Sequence, residues 1–184
     1  QTVDADTDGN GAADLIDATL TSLALDATNV GVSVEGIASL SVSGKLALAS
    51  LTPADPLTDT RSWLALKMGD VTIAGGLDPA LDIGLSAELT LAAVELNVAS
   101  DSANPTAVVA RLDWANAFDL DGDGESDVLD PGADLPTPQG LPIDFASSLQ
   151  VRVIGTLTGT GQVGEDDADL VPDDPVDNAF LTVG

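Results

Sequence analysis

Apolar side chains in this chain recur at every second position, a period that restricts it to extended strands burying one face. Val30, Val32 and Val34 alternate with small or polar residues, Gly36 interrupts, and Leu40, Val42, Leu46 and Leu48 resume the pattern. Leu64, Leu66 and Met68 follow, with Val71 and Ile73 on the opposite parity. The longest run holds Leu81, Ile83, Leu85, Ala87, Leu89 and Leu91, then switches to Val94, Leu96 and Val98. Because a one-residue slip moves every side chain to the other face, that switch predicts a bulge or bend near Ala92–Ala93. Further strands are expected at Val108–Trp114 and Leu149–Leu157. Glycine and Pro–Asp clusters at 53–56, 75–76, 78–79 and 131–142 punctuate the runs. The stretch from Ala12 to Leu25 fits a helical face through Leu15, Ile16, Leu20 and Leu23, and equally feeds a strand at Thr19–Leu25. The fold expected is mainly β, an antiparallel β-sandwich or an elongated β-sheet module.

The 184 residues, 44% of them apolar with a mean hydropathy of +0.23, suffice for a buried core. Against this stands a formal charge of −26, with 31 acids and only Lys45, Arg61, Lys67, Arg111 and Arg152 as bases. No cationic face can be assembled from five scattered bases, which excludes nucleic acid and disfavours anionic membranes. No run of 18 uncharged apolar residues is present, so no membrane insertion is expected. Histidine, cysteine and tyrosine are all absent, which removes the commonest general base, every thiol and the soft-metal ligands. An enzyme is not expected. The chain begins at Gln1 without a signal-peptide pattern, the mark of a processed chain or a piece of a longer one.

Of the 31 acids, 26 are Asp, the short carboxylate that suits turns and compact oxygen cages. Two windows share one spacing. Asp6, Asp8, Asn10, Gly11, Asp14 and Asp17 read D-x-D-x-N-G-x-x-D-x-x-D, and Asp119, Asp121, Asp123, Gly124, Asp127 and Asp130 read D-x-D-x-D-G-x-x-D-x-x-D. Oxygens at positions 1, 3 and 5 converge on one hard cation as the backbone wraps round it. Glycine at position 6 permits the turn, position 7 offers a backbone carbonyl (Ala12, Glu125), and positions 9 and 12 close the shell. An all-oxygen set without nitrogen or sulfur is suited to calcium, and two Ca2+ sites are expected.

These windows resemble bacterial thrombospondin type 3-like calcium repeats and are similar to the loops of dockerins, integrin-type propeller repeats and EF-hands. The resemblance implies that Asp6, Asp8, Asn10, Asp14 and Asp17 hold one ion and Asp119, Asp121, Asp123, Asp127 and Asp130 another. Position 12 is Asp where EF-hands carry a bidentate Glu, and the two loops lie far apart in sequence. The remainder resembles the acidic, cysteine-free modules of giant secreted bacterial adhesins and surface-matrix proteins.

Three segments are expected: a β-rich domain at 1–163 with calcium loops at 6–17 and 119–130, an acidic linker at 164–178, and a terminal strand at 179–184. That strand either closes the domain's own sheet or pairs with a neighbouring subunit or repeat. The function expected is that of a calcium-stabilised structural module, extracellular or at the cell surface. Its expected partners are copies of itself or adjacent modules, or a surface glycan or protein receptor. The alternative is a calcium-dependent carbohydrate-binding module, with Trp63 or Trp114 stacking on a sugar; both tryptophans read first as core.

Overall fold

The computed structural model describes residues 1–35, 38–77, 86–133, 135, 138, 140–160 and 181–183. Among these described residues seven strands form one sheet: β1 (Thr2–Ala5), β2 (Leu15–Val34), β3 (Ala38–Thr52), β4 (Arg61–Leu77), β5 (Ser86–Asp101), β6 (Val151–Thr160) and β7 (Leu181–Val183). Their spatial order is their chain order, an antiparallel meander in which the long segment 102–150 separates the neighbours β5 and β6. Of the two expected architectures, the chain adopts the single sheet. The described residues contain no helix, so none is long and apolar enough to cross a membrane.

Within the stretch Ala12–Leu25 the chain is strand from Leu15 onward, not helix, because Leu15, Ala18 and Leu20 are buried on one face of β2. The step from 15 to 18 needs one extra residue. Asp17 supplies it with a left-handed backbone (φ 56), and the β1–β2 register shifts there, from Val3 opposite Ala18 to Ala5 opposite Leu15. The strand expected at Val108–Trp114 is absent. Leu112 and Trp114 are buried in alternation, but the backbone bonds singly, as from Trp114 N–H to the Phe145 carbonyl, and builds no ladder. The strand expected from Leu149 starts at Val151, since a turn from Ala146 to Leu149 precedes it. Gly75–Gly76 does not break β4, and β1 was not anticipated. The acidic linker at 164–178 lies outside the described residues. The tail pairs with its own chain, Leu157 opposite Val183 and Gly159 opposite Leu181.

The chain divides into two compact units. The first comprises Gln1–Asp26, Lys45–Gly69 and Ala93–Val153 and holds the core. Its sheet presents small or flat residues on one face (Ala18, Ala47, Ala49, Ala65, Trp63), on which the irregular segment 102–150 lays Leu112, Trp114, Phe118, Ile143 and Phe145. Each large side chain buried there contributes about 1.5–3 kcal/mol. Segment 102–150 has little secondary structure of its own, so its polar groups need individual partners. Fully buried Asn97 of β5 supplies several: its Nδ2 donates to the Leu112 carbonyl (2.9 Å), and its Oδ1 accepts the Trp114 indole N–H (3.1 Å). Trp63 likewise donates to the Ala110 carbonyl (2.9 Å).

The second unit comprises Ala27–Gly44, Asp70–Ala92 and Ile154–Gly184. Among its described residues Val71 is the one buried apolar side chain. The parity change before Val71 is explained by Asp70, whose left-handed backbone (φ 52) inserts one residue into β4. Gly44 approaches Val71 so closely that a Cβ there would lie 2.8 Å from the valine side chain. β5 runs unbroken through Ala92–Ala93, the boundary between its two units.

Candidate metal centre

Both twelve-residue windows form loops of one design within the first unit. The first carboxylate of each gathers the backbone N–H groups of its own loop. Asp6 accepts from Gly9 (2.8 Å) and Gly11 (2.7 Å), and Asp119 accepts from Gly122 (2.7 Å) and Gly124 (2.9 Å). Position 3 accepts from the N–H of position 5, at 3.1 Å in both Asp8 and Asp121. Position 5 accepts from position 7, Asn10 from Ala12 at 2.9 Å and Asp123 from Glu125 at 2.8 Å. Position 9 reaches back to position 2, Asp14 to Thr7 N–H at 2.6 Å and Asp127 to Leu120 N–H at 2.7 Å.

Two glycines per loop make this winding possible. Gly9 and Gly11 have φ of 76° and 86°, and Gly122 and Gly124 have 80° and 89°, a region that side-chain-bearing residues enter at a cost. The glycine at position 4 stands in both windows of the sequence, beyond the one at position 6 that the calcium-loop pattern requires. Its repetition at the same place was the available signal.

The windings bring three carboxylates of each loop together. Oxygens of Asp6, Asp8 and Asp14 lie within 4.8 Å of one another, as do those of Asp119, Asp121 and Asp127. Oxygens gathered this closely can share one hard cation, and an all-oxygen donor set on a flexible loop is the chemistry calcium accepts. Asn10 and Asp123 stand in the loops with their side-chain oxygens on the next turn, and they orient the peptides of Ala12 and Glu125. Asp17 and Asp130 are outside the converging groups. Asp17 is the β2 bulge residue, its N–H bonded to Asp4 (2.9 Å), and Asp130 accepts from the N–H groups of Gly132 (3.1 Å) and Leu141 (3.2 Å).

The electrostatics favour a cation. Burial opposes the ionisation of Asp6, but the N–H groups of Gly11, Gly9 and Asn10 outweigh it and hold its carboxyl below the ordinary value. Most of the chain's bases are engaged elsewhere. Arg61 pairs with Asp59 (2.6 Å), Lys67 with Asp144 (2.9 Å) and Arg152 with Glu95 (2.5 Å), while Arg111 donates to the Ser147 carbonyl (3.0 Å).

Though 113 positions apart in sequence, the loops are neighbours in the fold. Asp6 N–H donates to the Ala117 carbonyl (3.0 Å), and a cleft of about 470 Å³ is lined by Asp4, Asp6 and Gly11 from one side and Asp119, Gly122 and Glu125 from the other. Each loop is tied to the core at its ends. Ala5 and Thr7 flank Asp6, Phe118 precedes Asp119, and Leu129 bridges to Ile143; all are buried. Both tryptophans are buried as well, Trp63 1% and Trp114 0% exposed, so neither presents a ring for a sugar to stack on.

No protein-family model matches this chain, no curated protein matches its sequence, and no solved structure matches its fold.

Proposed function

We propose that this chain is a calcium-stabilised structural module of an extracellular adhesin, surface filament or matrix protein. The observation that carries the reading is the pair of matched loops, each with three converging carboxylates, one at the start of the sheet and the other within the segment that covers it. A cation in each loop cancels the mutual repulsion of its acids and locks a winding to which the core residues Ala5, Phe118 and Leu129 are joined. The loops then act as cross-links in a chain that has no cysteine.

Location outside the cell is supported by the calcium supply there, which fills even weak sites, and by a surface charge that keeps neighbouring modules apart. A structural role is supported by carboxylates that are engaged with loop backbone, in a chain without histidine, cysteine or tyrosine. Calcium titration of the EDTA-stripped chain by isothermal calorimetry tests the reading. Two equivalents should bind, and Asp121→Ala with Asp123→Ala should remove one of them. Heats no larger than those of dilution would reject it.

A further inference from the structure

The sheet of the first unit has two faces, and segment 102–150 covers one. That covered face carries Ala47, Ala49, Trp63, Ala65, Glu95 and Asn97, all buried. The other parity of the same strands carries the leucines that dominate the sequence pattern. Leu48, Leu64, Leu66 and Leu96 are half-buried at the centre, and none belongs to the core cluster. On the flanking strands Leu23 is 48% and Val151 60% exposed. The hydrogen bond between Ser62 and Ser100 hydroxyls (2.9 Å) joins β4 and β5 on this face, and continuing that antiparallel register sets Leu66 opposite Leu96.

We propose that two copies of this chain pair through this face, sheet against sheet. The face is free of charge: at its alternate positions over 19–25, 46–50, 62–68, 94–100 and 151–153 there is no Asp, Glu, Lys or Arg. In a chain of net charge −26, that leaves a partner selected by charge nothing to read, whereas the same face of a second copy matches it in kind. Segment 102–150, which bears the second acidic loop, then lies on the outside of the pair, where repulsion is least.

The area agrees. With strands about 4.8 Å apart and same-face residues about 6.7 Å apart, each position covers about 32 Å². The whole face spans roughly 500 Å², the size of a functional patch, and two such faces together bury about 1,000 Å², the lower limit for a specific interface. Sheets stacked about 10 Å apart would interdigitate these leucines and valines as the core of a β-sandwich.

This pairing stands independently of the cation sites. Sedimentation velocity of the purified chain, in calcium and in EDTA, should give a species of twice the 18.4 kDa chain mass in both. Leu66→Lys should shift it to monomer, and the milder Leu66→Thr should weaken the dimer at least tenfold with strand content by circular dichroism unchanged. Leu57→Lys, at a fully exposed site in the β3–β4 connection, should leave the dimer intact. A wild-type monomer at every soluble concentration would overturn the proposal, as would a dimer that survives both Leu66 variants. A dimer that forms in calcium alone would place the contact in the loops and overturn it too.

Discussion

Single residues in this molecule are constrained by backbone geometry as much as by side-chain chemistry. Gly124 occupies a left-handed conformation (φ 89) with open space where a Cβ would stand. Gly124→Ala therefore incurs only the conformational penalty of about 1–2 kcal/mol. Calcium affinity at the second loop should fall roughly tenfold by calorimetry, with the calcium-free melting temperature nearly unchanged. Gly44→Ala is different in kind, because the added methyl meets both the side chain and the backbone of Val71. Its urea midpoint should fall equally with and without calcium. A third residue-scale expectation concerns pH. Burial opposes the ionisation of Asp144, but the hydrogen bond from Lys67 outweighs it, and its carboxyl titrates below the ordinary 3.8. A lowered carboxylate stabilises the fold above its unfolded-state pKa and loses that contribution as pH falls through the folded-state value. The difference in melting temperature between wild type and Asp144→Asn should thus be present at pH 6 and vanish well below pH 3.8; a constant difference would reject this assignment.

At the scale of elements, the unusual feature is a sheet covered by a long irregular segment where a second sheet was a natural expectation. Asn97 is the fastening between them, since it partners both the Leu112 carbonyl and the Trp114 indole. Asn97→Ala should destabilise the fold by about 2–4 kcal/mol in urea titration, because two buried polar groups lose their partner. The period-two pattern read directly as strands over β3 to β6, and the twelve-residue spacing read directly as the two loops, whereas β1 is too short to show a period and the start of β2 fits a helical face as well. Four things were hidden. The alternation of Leu112 and Trp114 resembles a strand, because packing against a sheet selects the same period without pairing. The bulge at Asp17 depends on a left-handed aspartate, which shares its residue type with the loop ligands and leaves no separate mark, whereas the one at Asp70 shows in the sequence as the parity change before Val71. The buried face of β3 to β5 is the one bearing Ala, Trp, Glu and Asn, because the covering segment needs flat ground and hydrogen-bond partners more than bulk. The proximity of the two loops was also illegible, since it follows from where segment 102–150 folds back.

For the whole molecule the governing quantity is charge. Five bases cannot balance 31 acids, and among the described residues the acids that converge in threes are those of the two loops that flank and cover the core. Without calcium, repulsion acts on the loop ends joined to Ala5, Phe118 and Leu129, so added sodium chloride should raise the melting temperature by screening. In saturating calcium that salt dependence should shrink. Two sites at a hundredfold excess of ion over dissociation constant stabilise the native state by about 5 kcal/mol, which for a chain of this length corresponds to on the order of 10 °C. The most direct measurement is a thermal melt in EDTA, in millimolar calcium and in millimolar magnesium, on wild type and on Asp121→Ala with Asp123→Ala. The account predicts a rise of that size in calcium, little in magnesium, and about half the rise in the variant. Coincident melts in all three solutions would contradict it, and the acids would then be surface charge alone.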